Sequence, residues 1–121
     1  MATGRFLPFD EKVIYESNAT YIGGHSRWSS RVEGSLVLTN KRLYFEVIIG
    51  GLFEKRPELF FEVPLTQISE VKVGKYSSLS KPVLTVVYKS SSGSTEQPSF
   101  QVEYPENWKS AFSSVKVGSP F

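Results

Sequence analysis

At 121 residues and 13.6 kDa the chain amounts to one domain, long enough to bury a core without disulfide or metal staples. It has no cysteine, which excludes disulfide scaffolds, thiolate metal sites and cysteine nucleophiles and suits a reducing compartment. Fourteen Lys and Arg against twelve Asp and Glu leave a net charge of +2, too mild to imply nucleic acid by bulk electrostatics. The opening residues, with Arg5, Asp10 and Glu11 around a short apolar FLPF, predict no secretory signal. The longest apolar run, residues 47–53, is far too short to span a bilayer. A cytoplasmic location is therefore expected.

Short apolar-alternating runs separated by turn residues predict an all-β domain. Residues 13–22 alternate around Ser17-Asn18 and predict a long first strand with a bulge at that pair. Residues 33–39 and 42–48 predict a hairpin whose two-residue turn is Asn40-Lys41, where Asn tolerates positive φ. Counting outward from the turn, Leu38 faces Leu43, Val37 faces Tyr44 and Leu36 faces Phe45. Leu36, Leu38, Leu43 and Phe45 then share one face, and a one-residue slip would scatter them. Residues 59–65 put Phe61, Val63 and Leu65 on one face, with Pro64 marking a strand end or edge. Val71 and Val73, then Leu84, Val86 and Tyr88, then Phe100, Val102 and Tyr104 complete seven strands. The run SSSGST at 90–95 predicts a solvated loop.

Past Tyr104 the period changes. Trp108, Ala111, Phe112 and Val115 recur at the spacing of one helical face. Pro105 suits the first helical position, Glu106 the positive end of the dipole, Lys116 the negative end and Gly118 the stop. The expected fold is mainly β: a seven-stranded curled sheet or barrel over a Leu, Val and Phe core, capped by one C-terminal amphipathic helix. Trp108 and Phe112 plug the open end. The whole chain reads as a single domain with its core at about 11–116 and short tails.

The residues that build this fold also carry a family resemblance. Gly34-Ser-Leu-Val-Leu-Thr-Asn-Lys-Arg-Leu-Tyr-Phe45 resembles the GRAM signature, in which a Gly opens LxLTxxRLxF. Phe61-Glu-Val-Pro-Leu-Thr-Gln-Ile-Ser-Glu-Val71 is similar to the segment that follows it in that family. With the Glu11–Tyr15 strand and the Tyr21-Ile-Gly-Gly24 segment, the chain looks most like the GLUE variant, the PH-like module of an ESCRT-II subunit. The resemblance implies a pleckstrin-homology-like (PH-like) barrel serving as a non-catalytic recruitment module in membrane trafficking. It implies binding to phosphoinositides or other anionic lipids, and for the GLUE variant to ubiquitin. Many GRAM domains instead serve as protein-interaction adaptors.

Residues 23–31, joining the first two strands, are free of acids and hold His25, Arg27, Trp28 and Arg31. Guanidinium groups bind phosphate bidentately, and Trp prefers the membrane–water interface. Two readings of Trp28 stay open: membrane contact, or a lid over the barrel end beside merely solvated arginines. Residues 74–81, joining strands five and six, also lack acids and hold Lys75 and Lys81. Four basic residues without an acid exceed the net charge of the whole chain, and this local concentration points to an anionic partner. The resemblance implies a lipid pocket between these two loops. In the loop joining strands three and four, Leu52 and Phe53 either insert into a bilayer beside Lys55 and Arg56 or pack on the barrel rim. Lys41 and Arg42, at the opposite end, read as structural or solvated.

The exposed side of the helix, with Lys109, Ser110 and Ser113, is the candidate surface for ubiquitin or another protein. Its composition announces no hot spot, so that expectation rests on the resemblance. One His and one Asp without Cys offer no ligand set or catalytic constellation, so neither metal, cofactor, small-molecule substrate nor enzyme activity is expected. Single-stranded nucleic acid would need outward aromatics among basic residues, for which only Tyr15 and Tyr44 are candidates.

Overall fold

The computed structural model describes residues 10–26, 30–50, 55–75 and 82–115. Strands β1 (Val13–Gly23), β2 (Val32–Thr39), β3 (Arg42–Gly50) and β4 (Lys55–Pro64) lead through a 3-10 turn (Leu65–Gln67) to β5 (Ile68–Lys75) and β6 (Pro82–Lys89). A two-residue β7 (Thr95–Glu96), β8 (Ser99–Gln101) and helix α1 (Pro105–Val115) follow. The seven expected strands are present. β7 is additional and takes the end of the Ser-rich run into the sheet, pairing Glu96 with Tyr88. The order is β4-β3-β2-β1-β8-β6-β5, and the outermost strands β4 and β5 do not pair, so the sheet curls without closing.

The hairpin has the expected register: Leu36 opposite Phe45, Val37 opposite Tyr44, Leu38 opposite Leu43. Leu36, Leu38, Leu43 and Phe45 are all fully buried, each worth about 2 kcal/mol of transfer free energy. The Gly that opens the signature has a steric reason. A Cβ on Gly34 would stand 2.4 Å from the Glu46 carbonyl oxygen and 3.1 Å from the Phe45 ring.

Bulges fall where alternation alone did not put them. Ser17 and Asn18 pair regularly with Leu36 and Ser35, and the irregularities in β1 lie between Val13 and Tyr15 against β2 and between Tyr21 and Gly23 against β8. In β4 the register shifts because Phe45 opposes Phe61 while Glu46 opposes Leu59. The extra residue, Phe60, turns inward beside Phe61. Its ring lies 5.7 Å from Phe45 and 6.0 Å from Tyr21, while Phe61 lies 6.0 Å from Phe100. A further shift at Ser69 brings both Ile68 and Val71 into the core.

Helix α1 begins at Pro105, whose missing N–H costs nothing there. The Tyr104 carbonyl accepts the N–H groups of Asn107 and Trp108, so β8 stops at Gln101 and Tyr104 is exposed rather than inward. Trp108 and Phe112 are fully buried against the curled sheet.

At the other end, residues 10–12 lie across the β2–β3 turn. The Lys12 N–H donates to Asn40 Oδ1 at 2.8 Å, and the Asn40 N–H returns to the Lys12 carbonyl at 3.1 Å. The buried Glu11 carboxylate accepts the Thr39 hydroxyl at 2.6 Å and Arg42 Nε at 2.8 Å. Arg42 also pairs with Glu62 and lies over the Tyr44 ring, 4.6 Å from its centroid. Arg42 is therefore structural. Lys41 holds Asp10 at 2.8 Å in an exposed pair that adds little. Tyr44 is fully buried and Tyr15 stands edge-on to Trp108 at 4.9 Å, so neither offers an open stacking platform.

Burial pushes the Glu11 carboxyl up, but hydrogen bonds from Arg42 and Thr39, with the charges of Arg42 and Lys41, outweigh it and hold the group below its ordinary value. A lowered folded value stabilises the protein above the unfolded value, and the stabilisation is lost as pH falls through the folded one. Urea unfolding between about pH 5 and pH 3 should therefore show a loss of stability that is smaller in Glu11→Gln than in the wild type.

Candidate functional site

The end of the sheet opposite the Glu11 clasp carries the β1–β2 connection. β1 runs out at Gly23, and Gly24 continues with φ +102°, a left-handed conformation. The Gly24 carbonyl accepts the Gln97 N–H at 3.2 Å, and a Cβ on Gly24 would stand 2.0 Å from the Gln97 carbonyl oxygen. Gly24→Ala should lower stability by about 2 kcal/mol in a urea melt, from the combined strain and clash.

His25 follows and turns inward. Its backbone N–H donates to Tyr21 Oη at 3.1 Å, and Nε2 lies 2.8 Å from Tyr88 Oη. Its ring stands 6.2 Å from Phe61 and 6.1 Å from Tyr88, with only 10% of the side chain exposed. Nδ1 is 3.9 Å from Glu96 Oε1. The Glu96 carboxylate also accepts the Ser26 N–H at 2.9 Å and the Ser26 hydroxyl at 2.6 Å. Those two hydrogen bonds, the hydroxyl's first, hold the Glu96 carboxyl below its ordinary value. Burial, then the Glu96 charge, pushes the Tyr88 hydroxyl up to about 12, so it stays protonated at any physiological pH. A cleft of about 430 Å³ beside this cluster is lined by His25, Phe60, Phe61, Tyr88 and neighbouring residues.

Arg31, at the far side of the same connection, is exposed, and its Nη2 donates to Gln101 Oε1 at 3.2 Å. Gln101 pairs with Thr20 on one side and Val83 on the other. Arg31 thus lies toward the Val83 end of β6, and His25 toward its Tyr88 end. Thr20, Pro82, Gln101, Val102 and Glu103 line an outer cleft of about 370 Å³. A second cleft of about 470 Å³ shares Thr20 and Gln101 and adds Asn18, Glu33, Ser35 and Ile48. Glu33 and Glu103 set two carboxylates beside the Arg31 guanidinium's end of the sheet.

Of the other residues singled out by sequence, Arg27, Trp28, Leu52, Phe53 and Lys81 lie outside the described residues. Lys75 is placed by its backbone alone, opposite Pro82 at the end of β5. Lys109, Ser110 and Ser113 are exposed on α1, on the side away from Trp108 and Phe112. No sequence signal marks Glu96 or Tyr88 as partners of His25. Glu96 follows a polar run that reads as loop, and Tyr88 reads as one more inward strand residue.

Among the described residues no group of His, Cys, Asp and Glu could hold a metal ion, and no helix is long and apolar enough to cross a membrane. No protein-family model matches the chain, and no curated protein matches it. Solved structures do. A Vps36 N-terminal PH domain matches with a TM-score of 0.62 at 16% identity, covering 91% of this chain and 85% of that one. The C-terminal domain of an unknown protein from Leishmania infantum matches at 0.56 and 16% identity, over 87% of this chain and 84% of that one. The DH/PH domains of p115-RhoGEF match at 0.57 and 12% identity, over 90% of this chain but 31% of that longer one. At these identities the likeness speaks to architecture alone: the curled, unclosed antiparallel sheet with one C-terminal helix is a PH-like fold.

Proposed function

We propose that this PH-like domain is a non-catalytic GRAM/GLUE-type module that attaches to anionic lipid at a cytoplasmic membrane surface, with phosphoinositide as the candidate headgroup. The observation that carries the reading is that the described ends of two acid-free basic connections, Arg31 and Pro82, both lie at Gln101. Residues 23–31 return through Arg31, which reaches Gln101. The second connection leads into Pro82, the first residue of β6, which lines the same cleft as Gln101. Arg27, Arg31, Lys75 and Lys81 supply the charge, each basic residue near an anionic surface being worth about 1 kcal/mol. Glu33 and Glu103 oppose it, so the attachment is modest and salt-sensitive. The likeness to PH domains, Vps36's among them, supports a recruitment module.

Co-sedimentation with phosphatidylcholine vesicles, plain or containing phosphatidylserine or phosphoinositide, tests this. Pelleting is expected with the anionic vesicles only, falling at high salt and lost in Arg27→Glu/Arg31→Glu. Absence of pelleting under every condition would remove the membrane reading, and a ubiquitin titration read at Lys109, Ser110 and Ser113 would take its place.

A further inference from the structure

We propose that the outer face of β1–β4 is a docking surface for the chain's own residues 1–9, which cover it through Phe6, Leu7 and Phe9. The proposal is independent of the membrane reading. The inner face of this half of the sheet holds Leu36, Leu38, Leu43 and Phe45 in the main core. Val37 and Tyr44 alternate with those four residues and stand opposite each other, so their side chains leave from the outer face. An antiparallel sheet with one face on a core ordinarily gives its other face to water. Yet Val37 and Tyr44 are fully buried, and both lie outside the core cluster. Glu46, the next outward residue of β3, is only 2% exposed. Burial that complete on the outer side of a sheet calls for a second layer.

The described elements do not form that layer. Every strand belongs to the one sheet, the 3-10 turn sends Leu65 to the main core, and α1 buries Trp108 and Phe112 there. The Arg42 side chain lies over the Tyr44 ring, but it is one side chain against a patch that spans β2 and β3. Position selects the first nine residues as the cover. Residues 10–12 cross the β2–β3 turn, and Glu11 lays its carboxylate on Thr39 and Arg42, the outward pair next to Val37 and Tyr44. The chain before Asp10 therefore starts at the edge of the patch. Nine extended residues reach about 30 Å, and the three strand spacings from β1 to β4 come to about 14 Å. Chemistry agrees with position. Phe6-Leu7-Pro8-Phe9 brings three large apolar side chains to a face whose margins hold exposed Val13, Ile48 and Leu59. Residues 1–9 contain Arg5 and no acid, while Glu16 opposite Val37, Glu62 opposite Tyr44 and Glu46 make the face acidic.

The absence of cysteine allows a single spin label to be placed at will. A nitroxide is attached to the isotope-labelled full chain at Thr3→Cys and, in a second sample, at Ser119→Cys. The label at position 3 should broaden the amide signals of Val37, Tyr44 and Glu46 and leave those of Val71 and Val86, in β5 and β6, sharp. Adding Phe6→Ser, Leu7→Ser and Phe9→Ser to the Thr3→Cys chain should abolish that contrast and lower the urea midpoint. Equal broadening of all five signals from position 3, or broadening of none, would overturn the proposal. Broadening of Val37, Tyr44 and Glu46 from position 119 and not from position 3 would also overturn it. The Thr3→Cys spectrum decides the matter even if the triple variant fails to fold, and no lipid enters the measurement.

Discussion

Trp108→Ala is expected to cost about 4 kcal/mol of stability, most of what a domain of this size has to spare. Trp108 is fully buried, and its ring meets Tyr15 edge-on at 4.9 Å and Phe112 at 6.3 Å. Its indole Nε1 donates to Ser17 Oγ at 3.0 Å, so the one polar atom of the ring is satisfied inside the cap. Truncation removes the ring's transfer free energy and leaves a cavity between α1 and β1. Trp108→Phe keeps most of the ring and forfeits the bond to Ser17, so it should cost about 1.5 kcal/mol. Urea unfolding followed by far-UV circular dichroism reads both. Near-equal costs for the two variants would mean that the bond to Ser17, which both lose, outweighs the packing of the ring.

Arg42→Ala should cost about 3 kcal/mol, because it strands a carboxylate rather than merely losing a surface pair. Glu11 is buried, and Arg42 supplies its closest cation, bonded through Nε at 2.8 Å. Thr39 would remain as its hydrogen-bond donor, which cannot neutralise the charge. Removing the charge should therefore relieve most of the damage. In a Glu11→Gln background the same Arg42→Ala change should cost at least about 1 kcal/mol less, and a double-mutant cycle measures that difference. Additive costs would show that Arg42 acts through Glu62 and Tyr44 instead. The neighbouring Lys41–Asp10 pair is exposed on both sides, and its loss should leave the unfolding midpoint close to that of the wild type.

These two sites explain why so much of the fold was readable. Leu36, Leu38, Leu43 and Phe45 obey a period of two because the hairpin buries one face, and Trp108 with Phe112 obeys the helical period for the same reason. The residues that resemble a family signature are structural ones. Gly34 has no room for a Cβ, Thr39 and Arg42 clasp Glu11, and the leucines fill the core. Periodicity failed at Ile14, Ile22, Phe60 and Ser69, where an extra residue breaks the alternation and no local signal marks it.

The candidate site was less legible because its partners are remote in sequence. Ser26 meets Glu96 across 70 residues, and Arg31 meets Gln101 across the same separation. Neither pair has a spacing that a motif could encode. Acid-free composition identified the basic connections, but not the carboxylates of Glu33 and Glu103 that line the clefts beside Arg31. Nor could composition show that His25, grouped with the arginines by proximity along the chain, turns inward toward Tyr88.

The most direct test of the membrane reading is an NMR titration of the isotope-labelled chain with phosphatidylserine-containing nanodiscs, using plain phosphatidylcholine discs as the blank. The expected result is that amide perturbations with the anionic discs concentrate at Thr20, Arg31, Val83 and Gln101. Perturbations confined to Lys109, Ser110 and Ser113, or identical with both kinds of disc, would contradict it.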